Sequence, residues 1–267
     1  MTPASPSVSV VIPAYNEAKR IGLTLDRVER FFADSGRRFE VIVVDDGSTD
    51  ETAAVVQRVC ARQPGRFRLL RQARNCGKGA CVRRGMLEAA GDLVLFSDAD
   101  LSTPITEFGK LEAALGDGEH DIAIGSRGLP QSELLLRQPR YRELMGQGLN
   151  RLLRLMRLTR FHDTQCGFKL FSREAAHAIC AQQTIDRYGF DVEILWLADR
   201  MGFRVAEVPV RWTHDANSRV QPVRDGLRTL SDVMRLSLRR DGLARPAAPD
   251  NGRMPAAAAR ASKDEPG

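Results

Sequence analysis

Leu93-Val94-Leu95-Phe96-Ser97-Asp98-Ala99-Asp100-Leu101 is an apolar run that ends in two carboxylates. Four apolar residues in series are the pattern of a strand buried on both faces. Strand alternation then sends Asp98 and Asp100 out on the same side at its exit. A hard divalent cation takes oxygen ligands and keeps several sites for substrate phosphates, so one or two carboxylates there suffice to hold a metal–diphosphate complex. Taken alone, Asp-x-Asp is a pattern that solvated loops share, and its neighbours decide the reading.

Upstream, Val8–Ile12 is a β-branched run closed by Pro13, and Ala14-Tyr15-Asn16-Glu17 leads into helical spacing at Ile21, Leu25, Val28, Phe31 and Phe32. The order recurs with Phe39–Val44 as strand, Asp45–Asp50 as turn and Val55, Val56 and Val59 on a helix with Asp50 as its N-cap. A third unit runs from Phe67–Leu70 through Arg74-Asn75-Cys76-Gly77-Lys78-Gly79 to a helix bearing Val82, Met86 and Ala89, which stops at Gly91. Successive strand–loop–helix units predict an α/β fold, with a mostly parallel central sheet, helices on both faces and ligands at the carboxyl ends of the strands. The polar loops all fall on that edge.

Downstream, Pro104 starts a helix to about Leu115, and Asp121–Ile124 gives a strand ending at Gly125-Ser126-Arg127. Between Arg127 and Arg160 eight arginines face only Glu133 and Glu143, with Leu144, Met145, Leu149, Leu152, Leu153 and Met156 at helical spacing. That stretch reads as one or two basic amphipathic helices. Next come Thr164–Phe171, helices from Glu174 and around Asp191–Trp196, a strand at Val205–Trp212, a polar loop with Arg219, and a helix through Leu227, Leu230, Val233 and Leu236. From about Arg240 the composition is too poor in apolar residues to fold.

The 267 residues, 43% hydrophobic and 28% charged, suit one large domain. Residues 1–6 read as a flexible N-terminus, 7–239 as a single domain and 240–267 as a disordered tail. The apolar runs fall short of the ~20 residues needed to span a bilayer, and the N-terminus lacks the features of a signal peptide. The expected location is therefore cytoplasmic, peripheral on the cytoplasmic face of a membrane. The five cysteines show no ligand spacing and read as reduced thiols. A net charge of +6 calls for an anionic partner: nucleic acid, a nucleotide or a membrane surface.

Val11–Glu17, Val44–Asp50, Asn75–Gly79 and Asp98-Ala99-Asp100 resemble, in order, the motifs of the GT-A-fold family 2 glycosyltransferases. Asp163-Thr164-Gln165-Cys166-Gly167-Phe168-Lys169-Leu170-Phe171 and Phe190-Asp191-Val192-Glu193 resemble the dolichyl-phosphate β-glucosyltransferase branch, with the polyprenyl-phosphate mannosyltransferases close behind. The likeness covers roughly Ser7 to Arg239. It implies a nucleotide-sugar half at 7–127 and an acceptor half with interfacial helices at 128–239. Pro13, Tyr15, Glu17, Val44 and Asp46 would hold base and ribose, and Asp98 and Ala99 would complete the nucleotide pocket. Asp100 would ligate Mg²⁺ or Mn²⁺, with Ser102 where the mannosyl synthases carry a glutamine ligand. Lys78 would meet phosphate in its Gly-flanked loop, which lacks the third glycine of a dinucleotide fingerprint.

The resemblance further places Arg127, Arg142 and Arg219 on the donor diphosphate or the acceptor phosphate, Arg219 replacing a more usual lysine. Asp163 would orient an arginine or a sugar hydroxyl. The implied reaction is an inverting in-line transfer of glucose from UDP-glucose to a polyprenyl or dolichyl phosphate. A phosphate monoester, with its second pKa near ~6, is already mostly dianionic and needs positive charge more than a base.

Blander readings stand beside these. Asp163 and Asp191 are also explained as structural caps or pairs, Glu193 as facing a basic neighbour, and the arginine-rich helices as a solvated face. A membrane surface as partner is favoured because an isoprenoid tail brings the enzyme to the bilayer, where each Arg adds roughly 1 kcal/mol. The rival chemistries are a GDP-mannose donor, a hydroxyl acceptor served by a base such as Asp191, and a metal-dependent nucleotidyltransferase, which the loop after Ile12 does not suit for lack of a Gly-rich run. A basic RNA-binding protein is disfavoured by an aromatic content of 6%, so no nucleic acid is expected as partner.

Overall fold

A computed structural model describes residues 7–116, 118–136, 140–156, 158–213, 229–232 and 234–236, with the backbone alone at 140–145, 147 and 149. The first units follow the expected order: β1 (Val8–Ala14), α1 (Ile21–Asp34), β2 (Phe39–Asp45), α2 (Thr52–Arg62), β3 (Phe67–Arg71), α3 (Lys78–Leu87) and β4 (Leu93–Ser97). Val10 and Ile12 of β1 pack with Ile21, Leu25, Val28 and Phe32 of α1, whereas Val11 packs with Val82 and Met86 of α3. This alternation makes the strands apolar throughout. Helix α1 has no side-chain cap at Arg20, and its four fully buried side chains hold it instead. Each is worth ~1.5–3 kcal/mol, against ~1 kcal/mol for a cap.

The rest of the chain adds α4 (Phe108–Leu115), β5 (Ile122–Ser126), β6 (Glu133–Leu136), α5 (Arg140–Leu155) and β7 (Phe168–Ser172), then α6 (Arg173–Gln182), α7 (Phe190–Arg200), β8 (Val205–Pro209) and β9 (Arg211–Thr213). Seven strands form the main sheet in the order β3-β2-β1-β4-β7-β5-β8. All neighbours are parallel except β7, which runs antiparallel between β4 and β5. The sequence did not identify this strand, whose apolar run is broken by Lys169, itself fully buried.

Four expectations are corrected. Asp98 and Asp100 do not continue the strand: β4 ends at Ser97, and a turn follows in which the Leu101 N–H donates to the Asp98 carbonyl at 3.3 Å, with Leu101 at φ 48°. The stretch after Gly128 is not wholly helical, because Glu133–Leu136 forms a strand beside β9 in a second, two-stranded sheet. The strand expected over Val205–Trp212 divides at Pro209, which has no N–H to extend the ladder. Pro104 opens a 3-10 turn (Ile105–Glu107) before α4 rather than the helix itself. Of the helix expected through Leu227 to Leu236, residues 229–232 and 234–236 are helical, while 1–6 and 240–267 lie outside the described residues.

Helix α3 lies so close to the sheet that a Cβ at Gly85 would overlap Val11 Cγ1 and come within 3.0 Å of Val44 Cγ2. Gly85→Ala should therefore lower stability by ~1–3 kcal/mol. Gly109→Ala, in α4 with nothing within 4 Å, should raise it by up to ~1 kcal/mol. Urea midpoints of the two variants check both signs.

Candidate active site

The turn after β4 is fixed from beneath by β7. Asp98 N–H donates to the Gly167 carbonyl at 3.0 Å, and a Cβ on Gly167 would overlap the Asp98 carboxylate. Glycine there leaves the carboxylate its place beside Lys78. Asp98 Oδ1 pairs with Lys78 Nζ at 2.7 Å. Burial raises the Asp100 carboxyl pKa and the charge of Asp98 adds to the rise, while the N–H of Ser102, donating to Oδ1 at 2.9 Å, and the charge of Arg20 oppose it.

Two acidic groups within electrostatic reach call for a cation. Asp100 and the Ser102 hydroxyl offer the hard oxygen donors that Mg²⁺ or Mn²⁺ prefers. Among the described residues no three His, Cys, Asp or Glu side chains gather as a ligand set. The residues therefore fit a cation that takes its remaining oxygens from a substrate diphosphate, not one caged by protein.

The glycines of the Lys78 loop have a packing role. A Cβ at Gly77 (φ 112°) would overlap the Asp186 carbonyl, and one at Gly79 would lie 2.5 Å from that of Ile185. Ala80 N–H donates to the Asp186 carbonyl at 3.0 Å, so a protein carbonyl occupies the start of α3. Residues 184–186 are held there by Glu193, which accepts from Thr184 N–H (3.0 Å), Thr184 Oγ1 (2.7 Å) and Ile185 N–H (2.7 Å) instead of facing a basic side chain. The glycines admit another part of the chain, and the loop presents the Lys78 ammonium. Burial pulls the Lys78 pKa down, but Asp98 and Asp191 more than offset this and raise it.

Two of the residues expected at the nucleotide have partners within the protein. Asp46 spends its carboxylate on the backbone N–H groups of Cys76 (2.7 Å) and Gly77 (2.9 Å), so it positions the loop before α3. The Val44 side chain is fully buried in the core beneath α3. Pro13 is buried near the end of β1, Tyr15 is exposed beside it, and Glu17 pairs with Arg20. Ala99 contributes backbone, its carbonyl accepting from Thr24 Oγ1 at 2.6 Å. Sequence reasoning passed over Asn16, whose left-handed backbone (φ 55°) lets its Oδ1 accept from Thr49 N–H at 2.8 Å and tie the loops after β1 and β2 together. The tolerance of asparagine for that conformation was the available signal.

Arg127, at the end of β5, grips Asp163 with Nε (2.6 Å), Nη2 (2.8 Å) and its backbone N–H (3.0 Å). Its guanidinium lies 5.4 Å from the Trp212 ring centroid. Burial alone would raise the Asp163 carboxyl, yet the Arg127 charge and hydrogen bonds bring it down to about 2. The charge of Asp98 also reaches Arg127, so the acidic turn and this arginine share one electrostatic neighbourhood. Strand β9 closes the group: the Thr213 N–H donates to the Ser102 carbonyl at 2.8 Å, and buried Glu107 accepts from Arg211 Nε at 2.8 Å. The structure thus brings together Lys78, Asp98, Asp100, Ser102, Arg127 and Asp163. The Arg142 side chain and all of Arg219 lie outside the described residues. Sequence reasoning left Lys169 unassigned, although a lysine within an apolar strand was the signal for its buried pairing with Asp191.

Residues 9–180 match the family described as Glycosyl transferase family 2. The dolichyl-phosphate beta-glucosyltransferase of Dictyostelium discoideum is 36% identical over 242 residues, covering 87% of this chain and 74% of the relative. That of Homo sapiens is 34% identical over 243 residues, covering 87% and 75%. Among solved structures, glucosyl-3-phosphoglycerate synthase from Mycobacterium tuberculosis, in complex with Mn²⁺ and UDP-glucose, superposes with a TM-score of 0.60 at 23% identity, over 91% of this chain and 81% of that one.

The lowered Asp163 pKa links the site to stability. A carboxyl at about 2 when folded and near its ordinary value when unfolded contributes about 2 kcal/mol above the unfolded pKa, lost as pH falls from about 4 through about 2. Asp163→Asn should lose at least that much at neutral pH, and its urea midpoint should fall less steeply than the wild type's across that acid range.

Proposed function

The chain belongs to glycosyl transferase family 2 and has its GT-A fold, and within that family we propose that it transfers glucose from UDP-glucose to a polyprenyl or dolichyl phosphate with inversion, giving a β-linked lipid-phosphate sugar. The observation that carries this reading is the gathering of Asp98, Asp100, Lys78 and Arg127 at one sheet edge, within electrostatic reach of each other. On this reading residues 7–127 bind the donor and 128–239 receive the acceptor.

Asp100, with Ser102 beside it, would hold Mg²⁺ or Mn²⁺ jointly with the donor diphosphate, and the cation when bound supplies neutralisation of the charge on the departing nucleoside diphosphate. Asp98, steadied by Gly167 and Lys78, closes the nucleotide pocket, with Pro13, Tyr15 and Glu17 lining its base and ribose side. Arg127 reaches Asp163 with Nε and Nη2, which leaves Nη1 uncommitted among the described residues and already oriented for a phosphate oxygen. Arg142 and Arg219 would complete the acceptor's cationic surroundings.

A dianionic phosphate attacks without a general base. This suits Asp191, the carboxylate a hydroxyl acceptor would need, being buried and tied to Lys169. The hydroxyl-acceptor reading is correspondingly weaker, and the dolichyl-phosphate beta-glucosyltransferase relatives favour glucose over GDP-mannose as donor sugar.

No described helix is long and apolar enough to cross a membrane. A membrane surface is nonetheless the fitting partner for the acceptor. Leu135 and Leu136 of β6 are 63% and 59% exposed, and in α5 Leu155 is 81% exposed with Arg151 also exposed, apolar and cationic groups suited to headgroups.

The decisive assay incubates the protein with labelled UDP-glucose or GDP-mannose, Mg²⁺ or Mn²⁺, and polyprenyl phosphate. Label should move from UDP-glucose into an organic-soluble, acid-labile product; label found solely on hydroxyl acceptors rejects the proposal. Asp100→Asn should cut turnover by at least ~10²-fold without shifting the urea midpoint downward. Replacing Leu135 and Leu136 together by serine should reduce sedimentation with anionic vesicles while leaving the protein folded by circular dichroism.

A further inference from the structure

Beneath the Asp98 turn lies a charged pair that the proposed reaction does not use. Lys169 has no solvent exposure, and its ammonium donates to Asp191 Oδ1 and, at 2.6 Å, to the Cys166 carbonyl. Opposite Lys169 across the β4–β7 ladder is Phe96. The Phe96 ring has the Lys169 ammonium 5.6 Å from its centroid and that of Lys78 at 5.3 Å, so one aromatic ring serves two cations. Phe190 meets the same ring edge-on at 5.8 Å, and the next residue is Asp191. Asp191 Oδ2 makes no hydrogen bond among the described residues, and the Asp191 charge acts on Lys78. Carboxylates and ammoniums therefore alternate inward from the site as Asp98, Lys78, Asp191 and Lys169.

A fold staple would not require this arrangement. Replacing a buried ion pair by apolar residues of similar volume is often neutral or stabilising, so net stability is a weak reason for burying one. What the pair supplies is a carboxylate held in place by Lys169 behind a flexible lysine. The Lys78 stem has four carbons and, with Asp98 alone as anchor, would follow that half-buried carboxylate wherever substrate drew it.

We infer that Lys169 and Asp191 are positioning residues of the donor site: Lys169 fixes Asp191, and Asp191 together with Asp98 holds the Lys78 ammonium where the nucleotide diphosphate is received. The inference rests on the donor reading given above.

The test is a mutant cycle read by calorimetric titration of UDP in the presence of Mn²⁺. It compares the wild type, Lys169→Met with Asp191→Leu, Lys78→Met, and all three changes together. The double variant removes the pair without leaving an orphaned charge, so its urea midpoint should stay near the wild type's. Its UDP affinity should nevertheless fall roughly 3- to 10-fold, the scale of immobilising one long side chain. In the Lys78→Met background the same double change should have no further effect. Unchanged affinity in the double variant, or a loss that adds in full to that of Lys78→Met, overturns the inference while leaving the donor reading in place. No UDP binding by the wild type overturns both. If the double variant does not fold, Lys169→Gln with Asp191→Asn, which removes both charges and keeps a hydrogen bond between the two side chains, goes through the same cycle with the same deciding outcomes.

Discussion

The contact on which the carboxyl edge depends is the one between Gly167 and Asp98. Strand β7 runs against β4, so its approach brings the backbone of residue 167 directly under the acidic turn, where a side chain would push the Asp98 carboxylate aside. The Asp98 amide is bonded to that same residue, which fixes the turn's height as well as its direction. Were β7 parallel, or one residue out of register, Phe168 or Cys166 would fall beneath Asp98. The geometry of both carboxylates, and with it any cation they share, follows from the direction of one short strand.

Charge at this edge is organised by pairing before any substrate arrives. Asp98 has Lys78, Asp163 has Arg127 and Asp191 has Lys169; at Asp163 the arginine outweighs burial and holds the carboxyl pKa low, whereas at Asp191 burial outweighs the lysine and the pKa is raised. Asp100 forms no ion pair among the described residues. Its neighbours include another carboxylate, and its pKa is raised by burial and that charge against the Ser102 N–H and hydroxyl and the charge of Arg20. An acidic group left this way is unfavourable in isolation and favourable once a divalent cation is beside it.

Much of this was legible in the sequence, because strand–helix alternation and acidic strand exits are local patterns. The first four strands and their loops followed from hydrophobic periodicity alone. Periodicity also held evidence about Val44, which has the same parity as Ile42 and so faces the α3 core with it. What the sequence could not show was partnership across long separations. Gly77 and Gly79 looked like a phosphate cradle because the backbone of residues 185–186, which fills that space, lies more than a hundred positions away. The contacts of Asp46 were hidden for the same reason, its partners being amides of a later loop. The antiparallel strand escaped notice because Lys169 looks like a surface residue until Asp191 is placed beside it.

Among the described residues the strand order leaves the main sheet open at β3 and β8. An unpaired strand edge invites a strand from another molecule, the first step of aggregation. Here β3 carries Arg68 and Arg71, partly exposed and paired with Glu88 and Asp45, and β8 carries Glu207 and ends in Pro209, which cannot donate to a ladder. Both margins thus discourage cross-chain strand addition.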